Sequence, residues 1–153
     1  MIEEIEKVLK GKVLILCIGN ELKGDDGAGP ALAKKLEGRI KAEVINCEEV
    51  PESYTGKIKD IKPDTILIID AVDMKAEPGS ISLMDKTKLD DLKLYTTHNI
   101  PLKVLVDYLH SETKADIFLI GIQPESVAFG KGISEKVQKT LNYLKDTLIE
   151  LLG

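Results

Sequence analysis

The stretch VLILCIGNELKGDDGAGP, from Val13 to Pro30, decides the fold. Its first six residues, Val13 to Ile18, are all apolar, several of them β-branched. That is the pattern of a strand buried on both faces, as in a parallel sheet. The run stops at Gly19 and Asn20, and a polar, glycine-rich loop then delivers two adjacent acids, Asp25 and Asp26. In open α/β sheets, ligands bind beyond the carboxyl ends of such strands. Two later stretches repeat the pattern: Ile66 to Ile69 leads into Asp70, and Leu94 to Thr97 leads into His98. Asp26, Asp70 and His98 are therefore expected to meet at one edge of one sheet.

Upstream, Ile2, Ile5, Val8 and Leu9 have helical spacing and predict a short helix over residues 2–10, broken by Gly11. Downstream, Leu32, Ala33 and Leu36 predict a helix from Pro30 to Leu36, with Pro30 suited to the first turn and Gly38 to a stop. Ala42 to Cys47 reads as a second strand. Pro51 opens a loop that becomes a helix through Tyr54, Ile58 and Ile61, and Thr65 to Ile69 is a third strand. After a Pro78-Gly79 turn, Ser80 to Met84 alternates as an edge strand antiparallel to the rest. Asp85 to Leu94 has no strong period and reads as a surface segment. Leu102, Leu105, Val106 and Leu109 predict a helix after Pro101, and Ile117 to Ile122 another buried strand ending in Gln123-Pro124. Ser134 is placed to cap a last helix striped by Val137, Leu141, Leu144, Leu148 and Leu151. Strands alternating with helices predict a single α/β domain over residues 1–153. It has three αβα layers and a twisted, mostly parallel sheet of about five strands flanked by helices.

Bulk properties narrow the function. A 43% hydrophobic and 31% charged composition is that of a globular chain, long enough to bury a core without staples. A net charge of −5, with lysines dispersed among acids, argues against nucleic acid and anionic membranes as partners. No apolar run approaches the roughly 18 residues of a membrane span, and residues 1–10 do not resemble a targeting peptide, so a cytoplasmic protein is expected. Cys17 and Cys47 lie in apolar runs without CxxC spacing and read as small buried residues in a reducing compartment.

The candidate chemistries separate on residue types. Neither GxGxxG nor GxxxxGK[ST] occurs, and acids in the first loop would repel phosphate, so dinucleotide binding is disfavoured and no cofactor-binding residues are assigned. No GxSxG elbow is found, and Ser53, Ser80, Ser111, Ser126 and Ser134 read as caps, turns or surface. Metal binding fares better. A lone loop histidine is usually structural, but two strand-end carboxylates near His98 would leave open positions suited to a divalent cation such as nickel or zinc. Asp25 and Asp73 then support that site or serve as turn and cap residues.

These stretches resemble the hydrogenase maturation endopeptidases, which trim the C-terminal extension from the large subunit of nickel–iron hydrogenases. The anchors are Gly19-Asn20, then Gly24-Asp25-Asp26-Gly27-Ala28-Gly29-Pro30, Ile69-Asp70-Ala71, Thr97-His98-Asn99 and Gly121-Ile122-Gln123-Pro124. The Asp-Asp-Gly-Ala-Gly-Pro loop and the Gly-Ile-Gln-Pro turn look most like the branch serving hydrogenase 3 of formate hydrogenlyase. The resemblance implies a processing protease that acts once per precursor after nickel insertion; a monomer is expected. It carries over metal contacts at Asp26, Asp70 and His98, with nickel brought by the precursor and other divalent cations able to occupy the site. Asp26 and Asp70 are the expected catalytic carboxylates, whether in metal-assisted hydrolysis or in an aspartyl-protease mode. Glu48, Glu49, Glu52 and Tyr54 are candidate contacts to the substrate tail. Two readings compete: a non-catalytic metal-dependent binding module or chaperone for a hydrogenase subunit, and another metal-dependent hydrolase on the same kind of sheet.

Overall fold

The computed structural model describes residues 1–91 and 101–153. Helix α1 (Ile2–Val8) precedes strand β1 (Val13–Ile18), a 3₁₀ turn (Gly24–Gly27) and helix α2 (Ala28–Leu36). Strand β2 (Glu43–Glu48) leads through a second 3₁₀ turn (Pro51–Tyr54) to α3 (Thr55–Ile61) and β3 (Thr65–Ala71). Then follow β4 (Ile81–Asp85), α4 (Lys86–Asp91), α5 (Leu102–Thr113), β5 (Asp116–Ile122) and α6 (Glu135–Leu152).

The five strands form one sheet in the order β2-β1-β3-β5-β4, with only the β4–β5 pair antiparallel. Side chains alternate between its faces. Leu14, Leu16, Ile66, Ile68, Ile117 and Leu119 pack on one side with Leu89 of α4, Ile58 of α3 and the Leu105–Leu109 face of α5. Ile15, Cys17, Leu67, Ile69, Ile120 and Ile122 pack on the other with α1, α2 and α6. Each fully buried Leu or Ile contributes roughly 1.5–3 kcal/mol relative to exposure, so this double burial is what orders the sheet. From β1 the chain goes to β2 on one side, and β3 then pairs with β1 on the other. The carboxyl ends of β1 and β3 thus flank the sheet's switch point, where a crevice opens.

Two elements differ from expectation. Helix α2 begins at Ala28 because the 3₁₀ turn feeds straight into it, with Ala28 donating to the carbonyl of Asp25. Pro30 therefore sits inside the first turn, where a missing N–H costs nothing. Residues 86–91, expected as an irregular surface segment, are helical: Asp85 Oδ1 accepts from the Lys88 N–H at 2.9 Å, and Leu89 anchors the helix in the core. The antiparallel edge strand is found as expected. Leu94 to His98 lies outside the described residues. Among the described residues no helix is long and apolar enough to cross a membrane.

Candidate active site

Asp26 is held by the loop that leaves β1. The N–H of Asn20 reaches both the Asp26 carbonyl and its carboxylate Oδ2, at 3.1 Å each. The Asp26 N–H donates to Lys23 O at 3.0 Å, and Asn20 Oδ1 accepts from the Leu22 N–H at 2.8 Å. Gly19 makes this close turn possible: a Cβ there would collide with the Asp26 carbonyl oxygen. The Asp26 side chain is fully buried.

Asp70, the penultimate residue of β3, is also fully buried and lies opposite Gly121 of β5. Cys17 of β1 pairs with Ile69, so the end of β1 runs beside Asp70, and β3 touches the Gly24–Gly27 turn that carries Asp26. The structure thus brings two buried carboxylates to the switch point. Cys17 lies nearby, and burial, the Cys47 thiol and the charge of Asp70 all raise its pKa. Cys47 is pushed up to about 12, chiefly by burial and then by Glu52. Neither thiol is a nucleophile at neutral pH.

Asp25 does different work. Its carboxylate accepts from the backbone N–H groups of Glu125 (2.8 Å), Ser126 (3.4 Å) and Ser134 (2.7 Å) and from the Ser134 hydroxyl (2.8 Å). The Asp25 N–H returns a bond to Ser126 O at 2.9 Å, and Gly24 donates to Lys131 O at 3.0 Å. The acidic loop is therefore fastened to the loop between β5 and α6. Ser134 also caps α6 by accepting from Val137.

Asp73 accepts from the Lys75 N–H at 3.0 Å, from Lys75 Nζ and from Gln123 Nε2 at 3.2 Å each. Those bonds, the Lys75 N–H foremost, hold its carboxyl below the usual range. Gln123 organises the turn after β3: its Oε1 accepts from the N–H groups of Met74 (2.6 Å) and Ala76 (3.3 Å). Asp73 is thus a turn residue. The Gln123 side chain and the double use of Ser134 went unread in the sequence, where only the Gln123-Pro124 pair and the helix cap were visible.

His98 lies outside the described residues, and among those described no three His, Cys, Asp or Glu side chains cluster as a metal site. His110, the second histidine, closes α5 through a 2.9 Å bond between Nδ1 and the carbonyl of Ala115. Beside the Asp26 loop, a groove of about 460 Å³ is lined by residues 19–22 and 48–50. Its wall includes Glu21, Glu48 and Glu49 with the exposed apolar Leu22 and Val50. Glu52 and Tyr54 lie on the adjoining Pro51–Tyr54 turn.

A buried carboxylate pair at a switch point, on a sheet with this strand order, defines an α/β protein with a candidate hydrolytic centre. The family model for the hydrogenase maturation protease HycI matches residues 29–151. The chain is 42% identical over 118 residues to the hydrogenase 3 maturation protease of Escherichia coli K12, covering 76% of this chain and 75% of that one. Its fold matches the crystal structure of the NiFe hydrogenase maturation protease HycI from Thermococcus kodakarensis. There the TM-score is 0.87 at 35% identity, over 97% of this chain and 98% of that one. A crystal structure of a hydrogenase 3 maturation protease matches with TM-score 0.82 at 33% identity, over 93% and 92%. This chain belongs to the hydrogenase maturation protease family.

Proposed function

We propose that this endopeptidase removes the C-terminal extension of a nickel–iron hydrogenase large-subunit precursor once nickel is in place, and that its substrate is of the hydrogenase 3 type. The observation that carries the reading is the pair Asp26 and Asp70, both fully buried, the first on the 3₁₀ turn that follows β1 and the second near the end of β3, which touches that turn. Carboxylate oxygens are suitable donors to a divalent cation, and with the imidazole of His98 they would form a set with too few ligands to hold nickel alone. Tight association then requires a precursor that brings the metal and completes its shell. Affinity becomes a check on nickel insertion. Nickel at that position would polarise the scissile carbonyl or a water. Asp26 or Asp70 takes a proton from the attacking water and returns one to the leaving amine, as an aspartyl protease does. The enzyme works as a monomer and in the cytoplasm, the compartment being in keeping with its two free buried cysteines.

Mass spectrometry of a nickel-loaded hydrogenase 3-type precursor mixed with this protein tests the reading, beside a nickel-free precursor and Asp26→Ala, Asp70→Asn and His98→Ala variants. Loss of one C-terminal peptide is expected only with nickel and only with intact protein, the variants falling by at least about a hundredfold. Undiminished cleavage by Asp70→Asn would remove that residue from catalysis. A stable complex with no change in mass would make the protein a binding module.

A further inference from the structure

The sheet ends at β2, which pairs with β1 on one side and with no described strand on the other. A second groove, of about 470 Å³, runs along this edge, with the half-buried Ile40 and Val44 in its wall and a polar rim of Lys34, Glu37, Glu43 and Asn46. It meets the groove beside the Asp26 loop at one ion pair, Lys34 Nζ to Glu21 Oε1 at 2.6 Å, with Lys34 in the wall of one groove and Glu21 in that of the other. Both partners are well exposed, so the pair yields at little cost. At its far end the path reaches Asn20, whose N–H holds the Asp26 carboxylate. An open strand edge and two adjoining grooves thus form one track that ends at the loop holding Asp26.

Resting on the peptidase reading above, we propose that the residues following the scissile bond dock on this track as an added strand, antiparallel to β2. An extended peptide completes the unpaired edge with main-chain hydrogen bonds, while alternate side chains enter the second groove. The direction follows from connectivity. The body of the substrate precedes the bond and stays at the crevice, so the extension leaves over the carboxyl ends of β1 and β2 and descends the edge against the direction of β2. Strands lie about 4.8 Å apart, so an added strand sits roughly 10 Å from β1. About three extended residues cross that gap. Glu48 and Glu49 border the crossing and Glu37 and Glu43 the lower groove, so the extension carries no acid along the track, and apolar side chains fall at alternate positions beside Ile40 and Val44.

The test follows cleavage by mass for a nickel-loaded precursor with its whole extension and for one shortened to the residues that cross the upper groove. Wild-type protein is expected to process the shortened form with kcat/KM lower by at least about tenfold. Val44→Trp, which fills the lower groove, should lower processing of the whole form to that level and leave the shortened form unchanged, with a thermal melt to confirm folding. Independently of any variant, hydrogen exchange of the wild-type amides of residues 43–48 should slow with the whole precursor bound and not with the shortened one. Equal processing of both precursors by wild-type protein, or unaltered exchange at 43–48 with the whole precursor bound, overturns the edge docking while the peptidase reading stands. Failure to cleave either precursor overturns the peptidase reading and this inference with it.

Discussion

Asp25 and Asp26 are neighbours with opposite duties. Asp25 gathers four donors from Glu125, Ser126 and Ser134, whereas Asp26 is tied to Asn20 beside the end of β3. Hydrogen bonds to a buried charged acceptor are among the stronger ones, and removing the acceptor strands its donors. Asp25→Ala is therefore expected to destabilise the fold by about 3 kcal/mol, measured by urea unfolding. Asp25→Asn keeps an acceptor oxygen and should lose less. At this scale the sequence was informative where chemistry and position coincide: an apolar strand running into an acid marks Asp70, and an apolar strand followed by an acidic, glycine-rich loop marks Asp26. It was silent where partners are remote. Gln123 holds the N–H groups of Met74 and Ala76, 49 and 47 residues away, and no local pattern announces that.

Helix α2 owes its place to Gly29. A Cβ at that position would strike the carbonyl oxygen of Ile18, so only glycine lets the first turn of the helix lie against the end of β1. Gly29→Ala must push helix and strand apart, and a loss of more than about 3 kcal/mol in a thermal or urea melt is expected. Other elements show which signals were legible. Strands β1, β3 and β5, helix α5 and the striped α6 carry apolar periodicity strong enough to be read directly. Among the described residues of helix α4 the core residue is Leu89 alone, so there was no period to find, and its one signal was Asp85 as a cap for Lys88. The antiparallel β4 was legible because its alternation follows a Pro78-Gly79 turn.

Across the whole molecule, acid stability should carry the mark of Asp73. Its carboxyl sits below the ordinary value of 3.8 in the folded chain, first through the Lys75 N–H and then through Gln123 and Lys75 Nζ. The folded state therefore binds fewer protons than the unfolded one. The stabilisation is present above the unfolded value and is lost as pH falls through the lower, folded one. In urea titrations from about pH 4 down to about pH 2, wild-type protein should lose more stability than Asp73→Asn, and equal slopes would remove this role. The clamp on Asp25 has a consequence of another kind. Its partners lie 100 to 109 residues further along the chain, so a nascent polypeptide halted before Glu125 has none of them. The acidic loop can take its final shape only once the segment from Glu125 to Ser134 has been made.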